Sequence, residues 1–246
     1  MKNLQNSTAV ILGGSGGIGS ATARALAAAG ASVIVTYRGN EAAARDLVGS
    51  LPGTGHDALP ATVEDSASLD ALAARVRETR GRCDILVNSA GFTKAVPHGD
   101  LDALDDDFLD RMWAVNWRGP FAAVRAFRSL LVESQGLVVN VSSIGGLNGS
   151  GSNLAYAALK AATDSMTKSL ARALAPAVRV LSVSPGVVET GFVPGRGPEA
   201  NAKIAPTIPL KRVALPEDVA DAILACATLL TYSTGSVILV DGGRAL

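Results

Sequence analysis

The sequence predicts a single-domain α/β fold, with a doubly wound parallel sheet of about seven strands and helices on both faces. Short apolar or β-branched runs alternate with longer segments of helical period rich in Ala, Leu and Arg, which is the pattern of βαβ units. No Pro- or Ser-rich linker interrupts this alternation, and we find no internal repeat. A chain of 246 residues is long enough for one large domain with a full core. We therefore expect residues 1–246 to form one domain.

The individual elements follow from the same alternation. We predict strands at residues 8–12, 32–37, 57–61, 85–88, 137–141, 178–183 and 237–240. We predict helices at residues 18–29, 41–49, 66–79, 104–113, 118–133, 154–175 and 216–230. Residues 188–213 have no clear period and contain four prolines. Because long irregular segments in compact domains are often lids or binding loops, we interpret this segment as a substrate flap.

Charge and composition argue against several classes of protein. The chain has 22 Lys and Arg against 22 Asp and Glu, so we expect no affinity for nucleic acid. Apolar residues make up 48% of the chain, but charges or glycines interrupt every long apolar run, so we expect no membrane span. The N-terminus at Met1 leads straight into the first strand, which leaves no room for a secretory signal. Cys83 and Cys226 are far apart and lack metal-ligand spacing, so we predict no metal site and a reducing cytoplasmic location.

A glycine-rich loop follows the first predicted strand and opens the first predicted helix. It reads Gly13-Gly14-Ser15-Gly16-Gly17-Ile18-Gly19 and fits two overlapping registers, Gly14-x-Gly16-x-x-Gly19 and Gly13-x-x-x-Gly17-x-Gly19. Glycines let the backbone turn sharply and approach a pyrophosphate, whose charge is stabilised at a helix N-terminus. A glycine cluster alone also occurs in ordinary tight turns, but its place between a strand and a helix favours a dinucleotide site. The fold is therefore predicted to be of the Rossmann type.

The end of the second predicted strand indicates which dinucleotide binds. An acidic residue there would bind the ribose 2′-hydroxyl of NAD, whereas an arginine suits the 2′-phosphate of NADP. The sequence has Arg38 and no carboxylate at this place. Because a guanidinium is a planar and permanently charged donor, we predict that NADP(H) is preferred, with NAD(H) as the alternative. A solvent-facing arginine with no ligand is the competing interpretation.

Tyr156 and Lys160 carry the chemistry that the sequence predicts. A spacing of four puts both side chains on one face of a helix, one turn apart. An ammonium beside a phenol favours the phenolate, so we expect the pair to exchange a proton near neutral pH. Lowering a tyrosine pKa from about 10 to about 7 requires roughly 4 kcal/mol of differential stabilisation. Ser143, thirteen residues before Tyr156, is the second predicted donor, and the adjacent Ser142 is its local competitor.

These features occur with further motifs in a fixed order, and together they resemble the short-chain dehydrogenase/reductase family of the compact one-domain kind. The resemblance covers nearly the full length of the chain. The motifs are Gly13-x-x-x-Gly17-Ile18-Gly19, Asn88-Ser89-Ala90-Gly91, Asn116, Val141-Ser142-Ser143, Tyr156-x-x-x-Lys160, Pro185-Gly186-x-x-x-Thr190 and Val240-Asp241-Gly242-Gly243. The resemblance implies an enzyme that moves a hydride between nicotinamide and a ketone or secondary alcohol.

The resemblance also implies a role for individual residues. Tyr156 would be the general acid and base, Ser143 would hydrogen bond the reacting oxygen, and Lys160 would lower the pKa of Tyr156 and hold the nicotinamide ribose. Asn116 would fix a water that links Lys160 to solvent. The expected cofactor contacts are Gly13, Ser15, Gly17, Ile18, Gly19, Arg38, Thr62, Val63, Asn88, Ala90, Gly91, Tyr156, Lys160, Pro185, Gly186, Val188 and Thr190.

Departures from the family pattern bear on the cofactor and the substrate. Around the cofactor, relatives often use other residues where this chain has Leu12, Gly16, Thr62 and Ser89. Arg38 would therefore be the only basic residue that recognises a 2′-phosphate. The acyl-carrier-protein reductases carry basic docking residues where this chain has approximately Ser134 and 176–177. We therefore expect a small free carbonyl or alcohol as substrate, with 3-oxoacyl-carrier-protein reduction as the alternative. A cofactor-sensing protein without turnover, and a dehydratase or epimerase, are further alternatives.

The resemblance implies a homotetramer, or a homodimer, in which the helices predicted at 118–133 and 154–175 pack across one axis. A second interface would lie near the C-terminal residues 244–246. We expect the substrate pocket to be lined by Phe92, Thr93, Leu147, Asn148 and Phe192.

Overall fold

The computed structural model describes residues 3–246. Met1 and Lys2, where the expectation about a secretory signal begins, lie outside the described residues. The strands are β1 (Thr8–Leu12), β2 (Ser32–Tyr37), β3 (Asp57–Pro60), β4 (Ile85–Asn88), β5 (Leu137–Val141), β6 (Arg179–Pro185) and β7 (Val237–Val240). All neighbouring strands pair in parallel, in the order β3-β2-β1-β4-β5-β6-β7. The predicted seven-stranded parallel sheet is confirmed.

Helices occupy the connections between the strands. They are α1 (Gly17–Ala28), α2 (Glu41–Gly49), α3 (Ser66–Arg80), α4 (Asp106–Trp113), α5 (Gly119–Glu133), α6 (Gly145–Asn148), α7 (Leu154–Leu174), α8 (Pro198–Ile204) and α9 (Pro216–Thr228). A π-helical turn at Ala114–Arg118 joins α4 to α5, and a 3₁₀ turn at Ala205–Thr207 follows α8. No helix in residues 3–246 combines the length and the apolar character that a membrane crossing requires.

The sheet separates two apolar cores, and its interior strand β1 contributes to both. Along β1, Ile11 packs with Leu26 of α1 and Ile223 of α9, whereas Val10 packs with Leu69 of α3 and Phe127 of α5. Successive side chains of a strand point to opposite faces, so a strand between two helical layers is apolar throughout. β1 is buried at all five positions. The prediction of helices on both faces is therefore confirmed.

The strand order reverses between β1 and β4. Chain segments leave these two strands in opposite directions, so a crevice opens outside their carboxyl ends. The glycine-rich loop follows β1, and the segment that begins at Ser89 follows β4. The motifs that the sequence analysis selected therefore meet at one edge of the sheet.

Several boundaries differ from the predicted ones. β6 is Arg179–Pro185 rather than 178–183, because its pairing with β7 continues to Pro185 opposite Val240. The predicted break between the helices at 104–113 and 118–133 is absent, because the π turn keeps the backbone helical through Asn116. The short helix α6 was not predicted.

The predicted flap, residues 188–213, is fixed at both ends and is partly helical. Val188 forms a parallel bridge with Ala214; the amide of Glu189 donates to the Ala214 carbonyl at 2.8 Å, and the Ala214 amide donates to the Val187 carbonyl at 2.9 Å. Between these ends lie α8 and the 3₁₀ turn, so the segment that has no clear period in the sequence is partly helical. Pro198 starts α8, a place where proline is favoured because its missing N–H has no helical partner.

Candidate active site

A cavity of about 1090 Å³ opens at the carboxyl ends of the central strands. Its wall includes the glycine-rich loop, the ends of β2 and β4, the segment after β5, the first turns of α7 and the flap. Ligand sites in open α/β sheets form at this switch point, and a cavity of this size has room for a dinucleotide and a small second ligand.

The glycine-rich loop is packed too closely for side chains. Gly13 has a φ of +74°, and a Cβ there would lie 2.7 Å from the Cα of Ala90. A Cβ on Gly17 would lie 2.5 Å from Thr190 Cγ2, and one on Gly19 would collide with the Gly13 carbonyl oxygen. The loop therefore brings the N-terminus of α1 against β4 and the flap with its backbone amides uncovered. Such a cradle fits the pyrophosphate of a dinucleotide.

Arg38 and Glu64 lie together at the end of the cavity beyond β2. The Arg38 side chain is 59% exposed, and its Nη1 is 3.5 Å from Glu64 Oε1. Thr36 accepts a hydrogen bond from the Gly13 amide at 3.2 Å, which fixes the loop relative to β2. Arg38 is free to meet a 2′-phosphate, but the carboxylate of Glu64 competes for its charge.

Tyr156, Ser143 and Lys160 meet in the wall of the cavity. Asn153 caps α7 by accepting a hydrogen bond from the Tyr156 amide at 2.7 Å, so the helix begins directly before the two catalytic candidates. Lys160 Nζ donates to the Val141 carbonyl at 2.7 Å and lies 5.5 Å from the centre of the Tyr156 ring. The Ser142 hydroxyl donates to the Lys160 carbonyl at 3.1 Å, whereas Ser143 lines the cavity with Tyr156 and lowers the pKa of its phenol. This geometry separates the two adjacent serines as the thirteen-residue offset suggested.

The pKa values of the pair differ from the expectation. Burial raises the pKa of Tyr156 to about 12, and the hydrogen bond from Ser143 and the charge of Arg196 only partly offset this effect. Burial lowers the pKa of Lys160 to about 8, against the opposing effect of the Asp164 carboxylate. The expectation that Lys160 lowers the pKa of the Tyr156 phenol to about 7 was wrong for the protein without ligand. The reason is that desolvation disfavours the charged form of both groups.

Asn116 lies behind the cavity wall at Gly91 and is 1% exposed. Its Nδ2 donates to the carbonyls of Phe92 and Met112, both at 3.1 Å. Its Oδ1 is buried and has no hydrogen-bond partner among the described residues. A Cβ on Gly91 would lie 2.8 Å from this oxygen, so the cavity wall is glycine where the amide approaches. π-helical turns often occur at functional sites, and here the turn sets the direction of Asn116.

Most of the predicted site residues line the cavity. They are Gly13, Ser15, Gly17, Ile18, Gly19, Arg38, Val63, Ala90, Gly91, Ser143, Tyr156, Lys160, Pro185, Gly186, Val188 and Thr190. Thr62 is not in the wall; its amide binds the Ser68 hydroxyl at 2.9 Å. Asn88 is buried behind the wall and donates to Asn140 Oδ1 at 2.8 Å, so it joins β4 to β5.

The other half of the cavity faces Tyr156 and differs in part from the expected pocket. Phe92, Thr93 and Phe192 line it as expected, and the Phe192 ring centre is 5.8 Å from that of Tyr156. Leu147 and Asn148 do not line it, because α6 turns them outward and Leu147 is 62% exposed. Arg111, Arg196 and Arg244, which were not predicted, complete this half.

The chain is similar to known proteins over nearly its whole length. A sequence model of the family described as "Enoyl-(Acyl carrier protein) reductase" matches residues 13–245. A granaticin polyketide synthase putative ketoacyl reductase of Streptomyces violaceoruber is 38% identical over 97% of this chain and 96% of its own length. The cis-4-hydroxycyclohexanecarboxylate dehydrogenase of Sinomonas cyclohexanicum is 36% identical over 96% of this chain and 95% of its own.

A solved structure decides the assignment. A short-chain dehydrogenase/reductase described as glucose/ribitol dehydrogenase, from Brucella melitensis, superposes with a TM-score of 0.92 at 30% identity over 99% of both chains. The chain belongs to the short-chain dehydrogenase/reductase family. It is therefore an oxidoreductase that acts on carbonyl or alcohol groups with a nicotinamide cofactor.

Two of the similar solved structures contain a cofactor. A blue fluorescent protein from a metagenomic library is in complex with NADPH; it is 30% identical with a TM-score of 0.90 over 100% of both chains. A 3-ketoacyl-(acyl-carrier-protein) reductase of Brucella melitensis is complexed with NADH; it is 30% identical with a TM-score of 0.89 over 99% of this chain and 100% of that one. Relatives of this short-chain dehydrogenase/reductase therefore bind either cofactor.

Besides Arg111 and Arg244, three residues in or next to the candidate site were not selected from the sequence. Asn153 carried a visible signal, since Asn directly before a predicted helix is a typical N-cap. Asp164 lies one helical turn after Lys160, and its carboxylate accepts from the Ser182 hydroxyl at 3.0 Å. Arg196 reaches the site from the flap, and no sequence spacing relates it to Tyr156.

Proposed function

We propose that this short-chain dehydrogenase/reductase uses NADP(H) to transfer a hydride between nicotinamide and a small ketone or secondary alcohol, with Tyr156 as general acid and base. The observation that carries the proposal is the meeting of Tyr156, Ser143 and Lys160 in one cavity with the glycine cradle. The remaining steps follow from the chemistry of these side chains.

The protein residues manage the proton and the charge of the reaction. When bound, the nicotinamide supplies the hydride for reduction and accepts it for oxidation. As the carbonyl becomes an alcohol, the Tyr156 hydroxyl gives its proton to the oxygen, and it takes this proton back in the reverse reaction. Ser143 donates a hydrogen bond to the same oxygen and stabilises the negative charge that develops there. The ammonium of Lys160 stabilises the phenolate that Tyr156 becomes.

In the structure without cofactor, the protonation states of Tyr156 and Lys160 are those that the reduction half of the reaction requires. Because burial raises the pKa of Tyr156 to about 12, its hydroxyl is protonated at neutral pH. Lys160, with a pKa of about 8, is largely charged there. A protonated phenol and a nearby cation are the states that a general acid needs before it acts on a carbonyl.

The preference for NADP(H) rests on Arg38. It is exposed at the cavity end beyond β2, and no carboxylate replaces it on that strand. A guanidinium binds phosphate through charge-assisted hydrogen bonds, whereas a ribose hydroxyl would be bound by an acidic residue. Glu64 at 3.5 Å weakens this preference, because its negative charge opposes a phosphate and partly neutralises Arg38.

The proposal is tested by following the oxidation of NADPH and NADH over a panel of ketones and aldehydes. We expect turnover by the wild type, faster with NADPH, and loss of turnover in Tyr156→Phe. The matched control is Tyr232→Phe, because Tyr232 is fully exposed and lies outside the cavity wall. Binding of NADPH without turnover of any compound would contradict the reductase proposal and favour a cofactor-sensing protein.

Reduction of a carrier-bound 3-oxoacyl group is the second candidate, and the ketoacyl reductases among the relatives favour it. Against it stand the uncharged residues Ser134 and Ala177, where related enzymes carry basic docking residues. Turnover of an acetoacetyl group on an acyl carrier protein should therefore be no better than turnover of its coenzyme A thioester. A marked preference for the carrier protein would reverse the order of the two candidates.

We also propose a homotetramer, or a homodimer, located in the cytoplasm. Trp113, Trp117 and Phe121 stack along one face of the α4–α5 helix with ring centres 4.5 and 5.8 Å apart, and Trp113 and Phe121 are exposed. A second exposed apolar face includes Leu239 of β7 and Leu246. Large exposed aromatic faces are typical of subunit interfaces. Light scattering that gives the mass of a monomer would contradict the assembly. The two buried free cysteines support the cytoplasmic location, because thiols stay reduced there.

A further inference from the structure

The half of the cavity that faces Tyr156 carries only positive charges in its wall. Its ionisable wall residues, apart from the catalytic pair, are Arg111, Arg196 and Arg244. Glu64 is the one carboxylate in the described wall, and it lies at the opposite end beside Arg38. A neutral ketone would place no negative charge among these guanidinium groups, so their arrangement needs another explanation.

Of these three arginines, Arg196 is the one whose charge affects the pKa of Tyr156. It lies on the flap and is partly buried; its Nη2 donates to the Val188 carbonyl at 3.0 Å. Its Nε is buried and has no hydrogen-bond partner among the described residues. No carboxylate within residues 3–246 forms an ion pair with it. A partly buried cation without an anion is costly, and a ligand that supplies the anion removes this cost.

Arg244 adds a second positive charge from the C-terminal segment. Its Nη1 donates to Thr207 Oγ1 at 3.0 Å, which holds the guanidinium beside the 3₁₀ turn that follows α8. Arg196 and Arg244 are close enough to repel each other, and this repulsion lowers the pKa of Arg196 in addition to the effect of burial. Two like charges held together from separate segments are the usual construction of an anion site.

We propose that Arg196 and Arg244 bind an anionic group, a carboxylate or a phosphate, on the same substrate whose carbonyl lies at Tyr156. The proposal rests on the reductase function proposed above and narrows its substrate to keto acids, hydroxy acids or keto phosphates. Arg111 has a lesser part, because its guanidinium stacks on the Phe92 ring, with Cζ 4.8 Å from the ring centre.

The competing ligand for Arg196 is a phosphate of the cofactor. In that case Arg196→Gln would weaken NADPH binding and would leave the choice among substrates unchanged. Under our proposal the same variant keeps its affinity for NADPH and loses its preference for the anionic substrate. Measuring the dissociation constant of NADPH by its fluorescence therefore separates the two explanations.

The experiment compares ketones that differ only in charge. Levulinate is paired with methyl levulinate, acetoacetate with methyl acetoacetate, and dihydroxyacetone phosphate with dihydroxyacetone. We expect the wild type to reduce at least one anionic member with a kcat/KM about 10- to 100-fold above its neutral partner, the range that a charge-assisted hydrogen bond provides. The first two pairs report on carboxylate and the third on phosphate.

Variants assign the preference to the arginines. Arg196→Gln and Arg244→Gln should each reduce the ratio of kcat/KM between the charged and neutral substrates, and Arg196→Lys should restore part of it. Lys203→Gln is the matched control, because it removes one positive charge from an exposed position of α8 outside the cavity wall. An equal rate for charged and neutral members in the wild type, or an unchanged ratio in both Gln variants, would overturn the proposal.

A failure of the reductase function is distinguished by a binding measurement. If no ketone oxidises NADPH, calorimetric titration of each pair into the wild type saturated with NADP⁺ decides the question without turnover. Tighter binding of the anionic member, lost in Arg196→Gln, supports the anion site even then. No difference in binding within any pair contradicts it.

Discussion

Replacement of Asn153 by alanine removes one side chain that both caps α7 and holds part of the cavity wall in place. Asn153 is fully buried; its Oδ1 accepts from the Tyr156 amide at 2.7 Å, and its Nδ2 donates to Thr93 Oγ1 at 3.1 Å and to the Lys94 carbonyl at 2.8 Å. The amide therefore ties the first turn of α7 to the segment after β4 that lines the substrate half of the cavity.

The magnitude follows from these contacts. Loss of an Asn N-cap costs about 0.5–2 kcal/mol of stability. The Lys94 carbonyl keeps only a contact of 3.4 Å from the Thr93 hydroxyl, and a buried acceptor left poorly paired costs about 1–3 kcal/mol more. We expect Asn153→Ala to lower the free energy of unfolding by about 1.5–5 kcal/mol, which is the sum of the two effects. Because Tyr156 is the capped residue, kcat should fall by about tenfold or more through misplacement of its hydroxyl.

Asn40 provides a matched control. It caps α2 in the same way, with its Oδ1 accepting from the Ala43 amide at 3.1 Å, but it is exposed and makes no buried contact. Asn40→Ala should cost about 1 kcal/mol and leave kcat unchanged. Urea unfolding of both variants, with steady-state kinetics, gives the comparison. Equal losses of stability in the two variants, or an unchanged kcat in Asn153→Ala, would refute the reasoning.

Three further predictions address the cofactor, the catalytic lysine and the packing of α7. Arg38→Gln should lower kcat/KM for NADPH by about 10- to 100-fold without a similar effect on NADH, and Glu64→Gln should raise it a few-fold; equal effects on both cofactors would contradict the role of Arg38. Between pH of about 8 and 10.5, Lys160 binds a proton in the unfolded chain but not in the folded protein without cofactor. The free energy of unfolding of the wild type, relative to that of Lys160→Met, should therefore rise with pH across this window by at most on the order of 3 kcal/mol. A difference that does not change with pH would argue against the lowered pKa of Lys160. A Cβ at Gly146 would lie 2.6 Å from the backbone at Lys160 and Ala161, so Gly146→Ala should cost about 1–3 kcal/mol in urea unfolding, whereas Gly99→Ala, where nothing lies within 4 Å, should cost much less.

Much of the sheet could be predicted because each strand has a local signal. β1, β2, β4, β5 and β7 begin and end at the predicted residues, since β-branched runs bounded by turns define them. The helical turn through Asn116 could not be predicted in this way. The prediction placed a break between the helices at 104–113 and 118–133, and Pro120 lies at the start of α5. Instead the π turn accommodates the proline within one continuous helical segment.

The site divides in the same manner. Ser143, Tyr156 and Lys160 were predicted because a fixed spacing on one strand end and one helix face brings them together. Arg196 and Arg244 come from separate segments, so only the folded chain places them near Tyr156. The pKa of Tyr156 was predicted in the wrong direction, because a sequence shows the neighbouring lysine but not the burial, which exceeds the opposing effects of Ser143 and Arg196.

Because the two ends of the flap are hydrogen bonded to each other, the residues between them can change in length and sequence without disturbing the rest of the fold. Hydrogen bonds between Val187, Glu189 and Ala214 close the segment at its base. Doubling the length of a closed loop costs only about 0.6 kcal/mol in closure entropy. Insertions near the exposed Gly195 and Gly197 can therefore reshape the substrate half of the cavity while Thr190 keeps its place against the glycine cradle. One sheet edge can in this way keep a single cofactor geometry while the substrates of its descendants diversify.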